Sequence, residues 1–273
     1  MGPARTVAKK RPVAKAAAGR PTAKKPTAVT LDCKGVYYKE VNDWINDAVD
    51  DGVKRITLKG INGQRYIGNS LRGAGVRIDI QGVPGNDLAT FMDGPTVWVH
   101  MNAQDGIANT MNDGKVVVCG DAGDVLAYGM RGGKLYVKGD VGYRVGIHMK
   151  EYKGKVPVVV CGGKARDFFG EYMAGGMLIL LGMDRDGDEP IAGSYLGTGM
   201  HGGTIWVRGE VLDRQLGKEV GRGEIAPAEM KRLGAILREY SKDVGYEFSE
   251  VMSQPFVKLY PKSARPYGRL YAY

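Results

Sequence analysis

An apolar residue, any residue, a second apolar residue, any residue, then usually glycine: this phrase returns seven times between residues 78 and 209. The instances are Ile78-x-Ile80-x-Gly82, Val97-x-Val99-x-Met101, Val116-x-Val118-x-Gly120, Leu135-x-Val137-x-Gly139, Val158-x-Val160-x-Gly162, Leu178-x-Leu180-x-Gly182 and Ile205-x-Val207-x-Gly209. Their starts are separated by 19, 19, 19, 23, 20 and 27 residues. One strand phrase per unit of about 20 residues is the mark of a coiled solenoid and not of a compact sheet. The two apolar residues face one side of each strand, which is the interior if the coil encloses a core. The glycine that follows is expected to turn the corner, and Gly82, Gly120, Gly139, Gly162, Gly182 and Gly209 are read as corner residues. A stack of turns offers surfaces more readily than an enclosed pocket.

Glycine supports this. The chain holds 42 in 273 residues, about twice the usual share of roughly 7%, and they recur at repeat positions. Five turns are also preceded by methionine closely followed by glycine, at Met92, Met111, Met130, Met173 and Met200. Methionine is unbranched and fills irregular space, so these are read as core. Two turns are longer, one near Lys150–Lys155 and one through the acidic stretch Asp184–Pro190. Insertions in solenoids emerge as loops on one face, where partners often sit.

The flanks read differently. Residues 1–28 contain eight Lys/Arg and no acid, so they hold eight of the nine excess positive charges and leave +1 over residues 29–273. Without aromatic residues this segment cannot bury enough apolar surface to offset its ordering entropy, and it is expected to be a disordered basic tail. It is a solvated tail or, alternatively, a nucleic-acid or acidic-surface binder. Residues 29–60 read as a strand-helix-strand cap: Val29–Cys33, a helix with Val41, Trp44, Ile45, Ala48 and Val49 on one face, and Arg55–Leu58. Such a cap covers the exposed end of a solenoid. The repeats fill 61–209. Residues 210–273 supply a helix over 227–242, with Met230, Leu233, Leu237 and Tyr240 as its apolar stripe, then the extended Pro255–Tyr273 segment. The expected fold is all-β: a single-stranded parallel β-helix with a small α/β cap, a C-terminal helix and an extended tail.

Chemistry is sparse. The three histidines, His100, His148 and His201, form no metal motif with the cysteines. In the repeat register just given, His100, Cys119 and Cys161 fall at one position of their turns; Cys119 and Cys161, two turns apart, are then about 10 Å from each other, too far for a disulfide. Three cysteines without framework spacing read as free thiols in a reducing cytoplasm. Gly120-Asp-Ala-Gly123 and Gly139-Asp-Val-Gly142 look like phosphate loops, but the next strand arrives too soon for the helix such a loop must open. No catalytic, cofactor-binding or metal residue is assigned. No apolar run reaches the ~20 residues of a membrane span, and no secretory leader is visible.

Whole phrases carry a resemblance. Gly63-Gln-Arg-Tyr-Ile-Gly68, Pro84-Gly-Asn-Asp-Leu88, Asn102-Ala-Gln-Asp-Gly106, Gly139-Asp-Val-Gly-Tyr-Arg-Val-Gly-Ile-His-Met-Lys-Glu-Tyr152, Gly170-Glu-Tyr-Met-Ala-Gly-Gly176 and Gly197-Thr-Gly-Met-His-Gly-Gly203 resemble the C-terminal domain of the glutamate synthase large subunit. The likeness is strongest to its stand-alone form and covers roughly residues 55–270. It implies a right-handed parallel β-helix that braces a glutaminase-type amidotransferase subunit and an FMN-binding, iron–sulfur synthase subunit. FMN and the clusters are then expected on those partners and no cofactor on this chain. Neither a nucleophilic cysteine at position 2 (Gly2) nor a cysteine cluster is present, so no activity is expected of the chain alone. A weaker likeness, through Met-x-Gly-Gly and Gly-Asp-x-Gly elements, is to the glycine-repeat β-helix subunit of formylmethanofuran dehydrogenase and its counterpart in formyltransferase/hydrolase complexes. N-methylglutamate synthase has a corresponding subunit. The surface expected to meet partners comprises Tyr143, Arg144, His148 and Tyr152 on one loop, His201 on another, and Tyr260 and Tyr267 on the C-terminal extension.

Overall fold

A computed structural model describes residues 27–185 and 189–264. Nearly all of the predicted tail, the centre of the acidic insertion, and Tyr267 lie outside the described residues. The chain runs through β1 (Ala28–Asp32), α1 (Tyr38–Asp50), β2 (Arg55–Asn62), β3 (Arg77–Val83), β4 (Asp93–Val99), β5 (Asp113–Val118), β6 (Lys134–Val137), β7 (Val158–Cys161), β8 (Ala174–Leu180), β9 (Gly202–Arg208), β10 (Val220–Gly223), α2 (Pro227–Val244), α3 (Phe248–Val251) and β11 (Phe256–Pro261). From β1 to β9 every strand pairs in parallel with the next, one strand per turn. The fold is therefore a parallel β-solenoid, as the recurring phrase requires.

The interior is filled. Ile78, Ile80, Val97, Val99, Val116, Val118, Leu135, Val137, Leu178, Leu180, Ile205 and Val207 all point into one continuous core and are fully buried. Met92, Met111, Met130, Met149, Met173 and Met200 are fully buried in the same core, as their flexible side chains suit.

One register differs from the sequence reading. Leu135 lies beside Val159 and Val137 beside Cys161. The inward pair of this turn is thus Val159 and Cys161, while Val158 and Val160 face outward. Four consecutive β-formers, Val158–Cys161, carry no alternation by which either face could be chosen. The turn before is the lengthened one, so counting also fails. In consequence Cys161 does not share a position with His100 and Cys119. Those two stack with Lys138 and Gly162, whereas the Cys161 thiol is enclosed by the core and its pKa is pushed up by burial.

A second core lies outside the tube. Helix α2 buries Leu233, Leu237, Tyr240 and Val244 against the outward side chains Val117, Tyr136, Val158, Val160, Ile179 and Trp206. Tyr240 donates a hydrogen bond to the Val137 carbonyl at 3.1 Å and packs edge-on against Tyr136 at 5.5 Å. Lys115 bridges to Asp243 at 2.7 Å and Glu239 at 3.3 Å, and Lys134 also pairs with Glu239. Burial by itself would raise the Glu239 pKa; the two lysines outweigh it and hold the carboxyl below its ordinary range. After α2 the chain returns as β11, antiparallel between β9 and β10. The first part of the extended Pro255–Tyr273 segment is thus a strand of the chain's own sheet.

Candidate functional site

Away from the strands, each turn holds a short run in which every second residue has left-handed backbone. In Arg144-Val-Gly146-Ile-His148 the φ angles of the alternate residues are 58°, 75° and 56°. The same triplet recurs at Asp87, Ala89 and Phe91 (63°, 59°, 56°), at Val125, Ala127 and Gly129 (59°, 56°, 56°), at Phe168, Gly170 and Tyr172 (67°, 78°, 50°) and at Tyr195, Gly197 and Gly199 (63°, 63°, 69°). Alternate N–H groups reach in opposite directions. Arg144 donates forward to Asp167 O and His148 to Glu171 O, each at 3.1 Å, while Gly146 donates back to Leu126 O at 2.8 Å. These bonds form a ladder between turns without β-strands.

The middle position of each triplet is buried and small. At Gly146 an added Cβ would stand 2.5 Å from Leu178 Cδ1, so both the positive φ and the close packing call for glycine. The outer positions, Gly199 excepted, are at least partly exposed and need not be small. Left-handed backbone costs an L-residue roughly 1–2 kcal/mol, and for a bulky or branched one it is an outlier that demands a reason. Here Phe91, Val125, Arg144, His148, Phe168, Tyr172 and Tyr195 all adopt it.

Five of these side chains, joined by Tyr128, form two stacks. His148 lies flat on Tyr172 at 5.4 Å and meets Tyr128 edge-on at 5.8 Å. Beside them Phe168 lies flat on Tyr195 at 4.9 Å, and the Arg144 guanidinium sits 4.4 Å from the Phe168 ring centre. Arg144 also pairs with Glu171, whose side chain is buried. Phe91, Tyr128 and Tyr195 remain 40–54% exposed. The face is aromatic, ordered by stacking, and its guanidinium is neutralised within the chain. Such a surface suits contact with another protein.

Next to this run lies a column of carboxylates and amides. Asn102 Oδ1 accepts from Asp121 N–H at 3.0 Å, Asp121 Oδ1 from Asp140 N–H at 2.9 Å, and Asp140 Oδ1 from Lys164 N–H at 2.7 Å. A parallel column runs from Asp105 to Asp124 to Tyr143, with bonds of 2.9 and 2.8 Å. This explains the phosphate-loop look-alikes. A Cβ on Gly120, Gly123, Gly139 or Gly142 would stand 1.9–2.1 Å from the Asx oxygen of the preceding turn. Those glycines make room for a side chain and do not cradle an anion. Of the six expected corner glycines, Gly82, Gly182 and Gly209 have positive φ. Gly120 and Gly139 sit in the Asx columns. Gly162 stacks on Lys138, where its Cβ would meet the Lys138 carbonyl at 2.0 Å.

The expected contact residues are partly gathered. Tyr143, Arg144 and His148 share one run. Tyr152 closes a small hairpin with Lys155 and lies 5.6 Å from the Arg131 guanidinium. His201 falls in a neighbouring column, its main chain bonded to Met173 O. Tyr260 is elsewhere, on β11 against Gly221 and Gly223. The rings that complete the stacks, Tyr128, Phe168, Tyr172 and Tyr195, were not singled out by sequence. For Phe168, Tyr172 and Tyr195 the signal is a bulky residue at a position that glycine holds in other turns (Gly106, Gly129, Gly199), legible only once the unequal repeats are in true register. Among the described residues no group of three or more His, Cys, Asp or Glu side chains could hold a metal ion. Among them, too, no helix is long and apolar enough to cross a membrane.

Fold and ladder together define a glycine-repeat solenoid whose turns are locked by Gly-x-Gly-x-Gly-like triplets. The chain belongs to the GXGXG motif family, the family of the glutamate synthase GXGXG domain; the family's model matches residues 53–263. It is also 43% identical over 253 residues to the uncharacterized protein MJ1350 of Methanocaldococcus jannaschii, covering 89% of this chain and 96% of that protein.

Proposed function

We propose that this chain is a non-catalytic scaffold subunit of a glutamate-synthase-type complex. In this reading it braces a glutaminase-type amidotransferase subunit and an FMN- and iron–sulfur-binding synthase subunit in the cytoplasm. Family membership over residues 53–263 carries the reading. The filled interior, lined by fully buried aliphatic and methionine side chains, supports it, since what such a tube offers is its outer surface. The stacked face of Arg144, His148, Phe168, Tyr172 and Tyr195, with Tyr143 next to Arg144 in the chain, is the docking surface for a partner subunit. Bulky residues kept in left-handed backbone at an exposed face are the kind of local cost that function retains.

Affinity purification of the tagged chain from its native cells tests this. Recovery of a glutaminase-type subunit together with a flavin-containing one is the expected result. An amidohydrolase-type partner instead would assign the chain to a formyl-transfer complex. Purified alone, the chain should show neither flavin absorbance nor glutaminase activity; a stoichiometric flavin would overturn the scaffold role. The pair His148→Ala and Tyr172→Ala should lower partner recovery several-fold without lowering the melting temperature.

A further inference from the structure

Helix α2 does not close the outer core at its first end. A cleft of about 260 Å³ lies between its first turns, the opening residues of β8 and β9, and the loop before β7. Val156, Met177 and Trp206 give it an apolar wall, and Glu151, Thr204, Glu229 and Arg232 its polar groups. The hydrogen bonding around it is unbalanced. Glu229 is fully engaged: one oxygen accepts from Lys258 Nζ at 2.5 Å and the other from the Ala226 N–H at 2.9 Å. Glu151 accepts the Gly176 N–H on one oxygen, at 3.3 Å. Among the described residues nothing pairs with its other oxygen, with the Arg232 guanidinium or with the Thr204 hydroxyl. The Trp206 indole N–H is buried and also meets no acceptor, although buried donors are nearly always paired.

Residues lining one cleft thus hold three donors without an acceptor and one carboxylate oxygen without a donor. Their charges balance, since Lys258 already neutralises Glu229 and Arg232 stands against Glu151. A ligand with a single negative charge is repelled by Glu151, and one with a single positive charge by Arg232. A ligand that carries both charges satisfies both. A guanidinium takes a carboxylate through paired N–H bonds, and a carboxylate takes an ammonium. The volume also limits the choice, because drug-sized molecules occupy clefts of roughly 300–1,000 Å³ and this one is smaller. We propose that the cleft binds a free α-amino acid, its carboxylate toward Arg232 and Thr204, its ammonium toward Glu151, and its side chain against Val156, Met177 and Trp206. Bound there, the ligand ties α2 to the sheet and to the loop before β7, and so stabilises the folded chain by mass action. This inference is independent of the scaffold role.

Isothermal titration of the full chain with each of the standard amino acids tests it. One of them, or a small set, should bind once per chain and raise the melting temperature. For each amino acid that binds, the amine and the carboxylic acid that keep its side chain but carry a single charge are then titrated. Both should bind at least about tenfold more weakly. Arg232 and Glu151 are exposed, so Arg232→Ala and Glu151→Gln should fold as the parent does, and each should weaken binding about tenfold. No binding by any amino acid at millimolar concentration would overturn the proposal. So would equal binding of the single-charge compounds, or binding that both variants leave unchanged. Recognition of short peptides but of no free amino acid would overturn it as well, and would assign the cleft to the chain of a partner.

Discussion

The strand side and the left-handed side of the same turns solve one problem in opposite ways. Both must bond each turn to its neighbours. The strands do so with ordinary β backbone, and their outer face is then covered by α2, whose Leu237 and Tyr240 share a core with Trp206 of β9. The left-handed runs do so with backbone that disfavours most side chains, yet they carry Arg144, Phe168, Tyr172 and Tyr195 and no element of the described chain covers them. A covered face needs only to pack. A face that keeps bulky residues in an unfavourable conformation, and orders them by stacking, holds them for something other than stability.

Breaking the tube should have the largest effect. Phe169 is fully buried inside it, and Phe169→Ala should remove about 3–5 kcal/mol of stability by deleting a core aromatic. Chemical denaturation measures this; a loss below ~1 kcal/mol would mean that the interior is loosely filled. Leu237→Ala, in the outer core, should cost about 2–4 kcal/mol, and Trp206 emission should shift to the red as α2 loosens. The Asx columns come next. Asp124→Ala leaves the Tyr143 N–H without its acceptor and should cost about 1 kcal/mol. The sign reverses on the left-handed side. Val125→Gly, at φ 59°, should stabilise by about 1 kcal/mol, because a branched residue there is strained and glycine is not. Destabilisation at this position would remove the contrast between the two faces.

Acid should act on the covered face. Glu229 is held below its ordinary range by Lys258 and the Ala226 N–H, and Glu239 is also depressed, Lys134 and Lys115 outweighing its burial. A depressed carboxyl contributes stability above its unfolded-state pKa and loses it as pH falls through the folded value. The docking of α2 should therefore be fully stabilised above 4.5, the ordinary value for both groups, and weaken below it. Glu239→Gln should flatten that part of the curve, read by Trp206 emission.

Legibility followed the strength of the local pattern. Alternation of apolar and polar residues over Arg77–Gln81 gave strand and facing alike. The run Val158–Cys161 has no alternation, and its true facing is one residue away from the expected one. Helix α2 was visible from its stripe, but its seat on the outer face of β5 to β9 was not, since amphipathicity says that a face is buried and not against what. The stacked rings were hidden because sequence shows an aromatic residue and not its φ.

What the sequence determined by itself is the period. One strand phrase, one small buried residue and one methionine per turn leave a filled parallel coil as the packing that satisfies them all. What only the tertiary structure decided is which residues meet across turns of unequal length. Turn lengths vary where loops swell, so residues 24 or 27 apart can be as close as residues 19 apart, and only interturn hydrogen bonding fixes which ones. That pairing placed Cys161 in the core, Asp121 under the Asp140 N–H, and His148 against Tyr172.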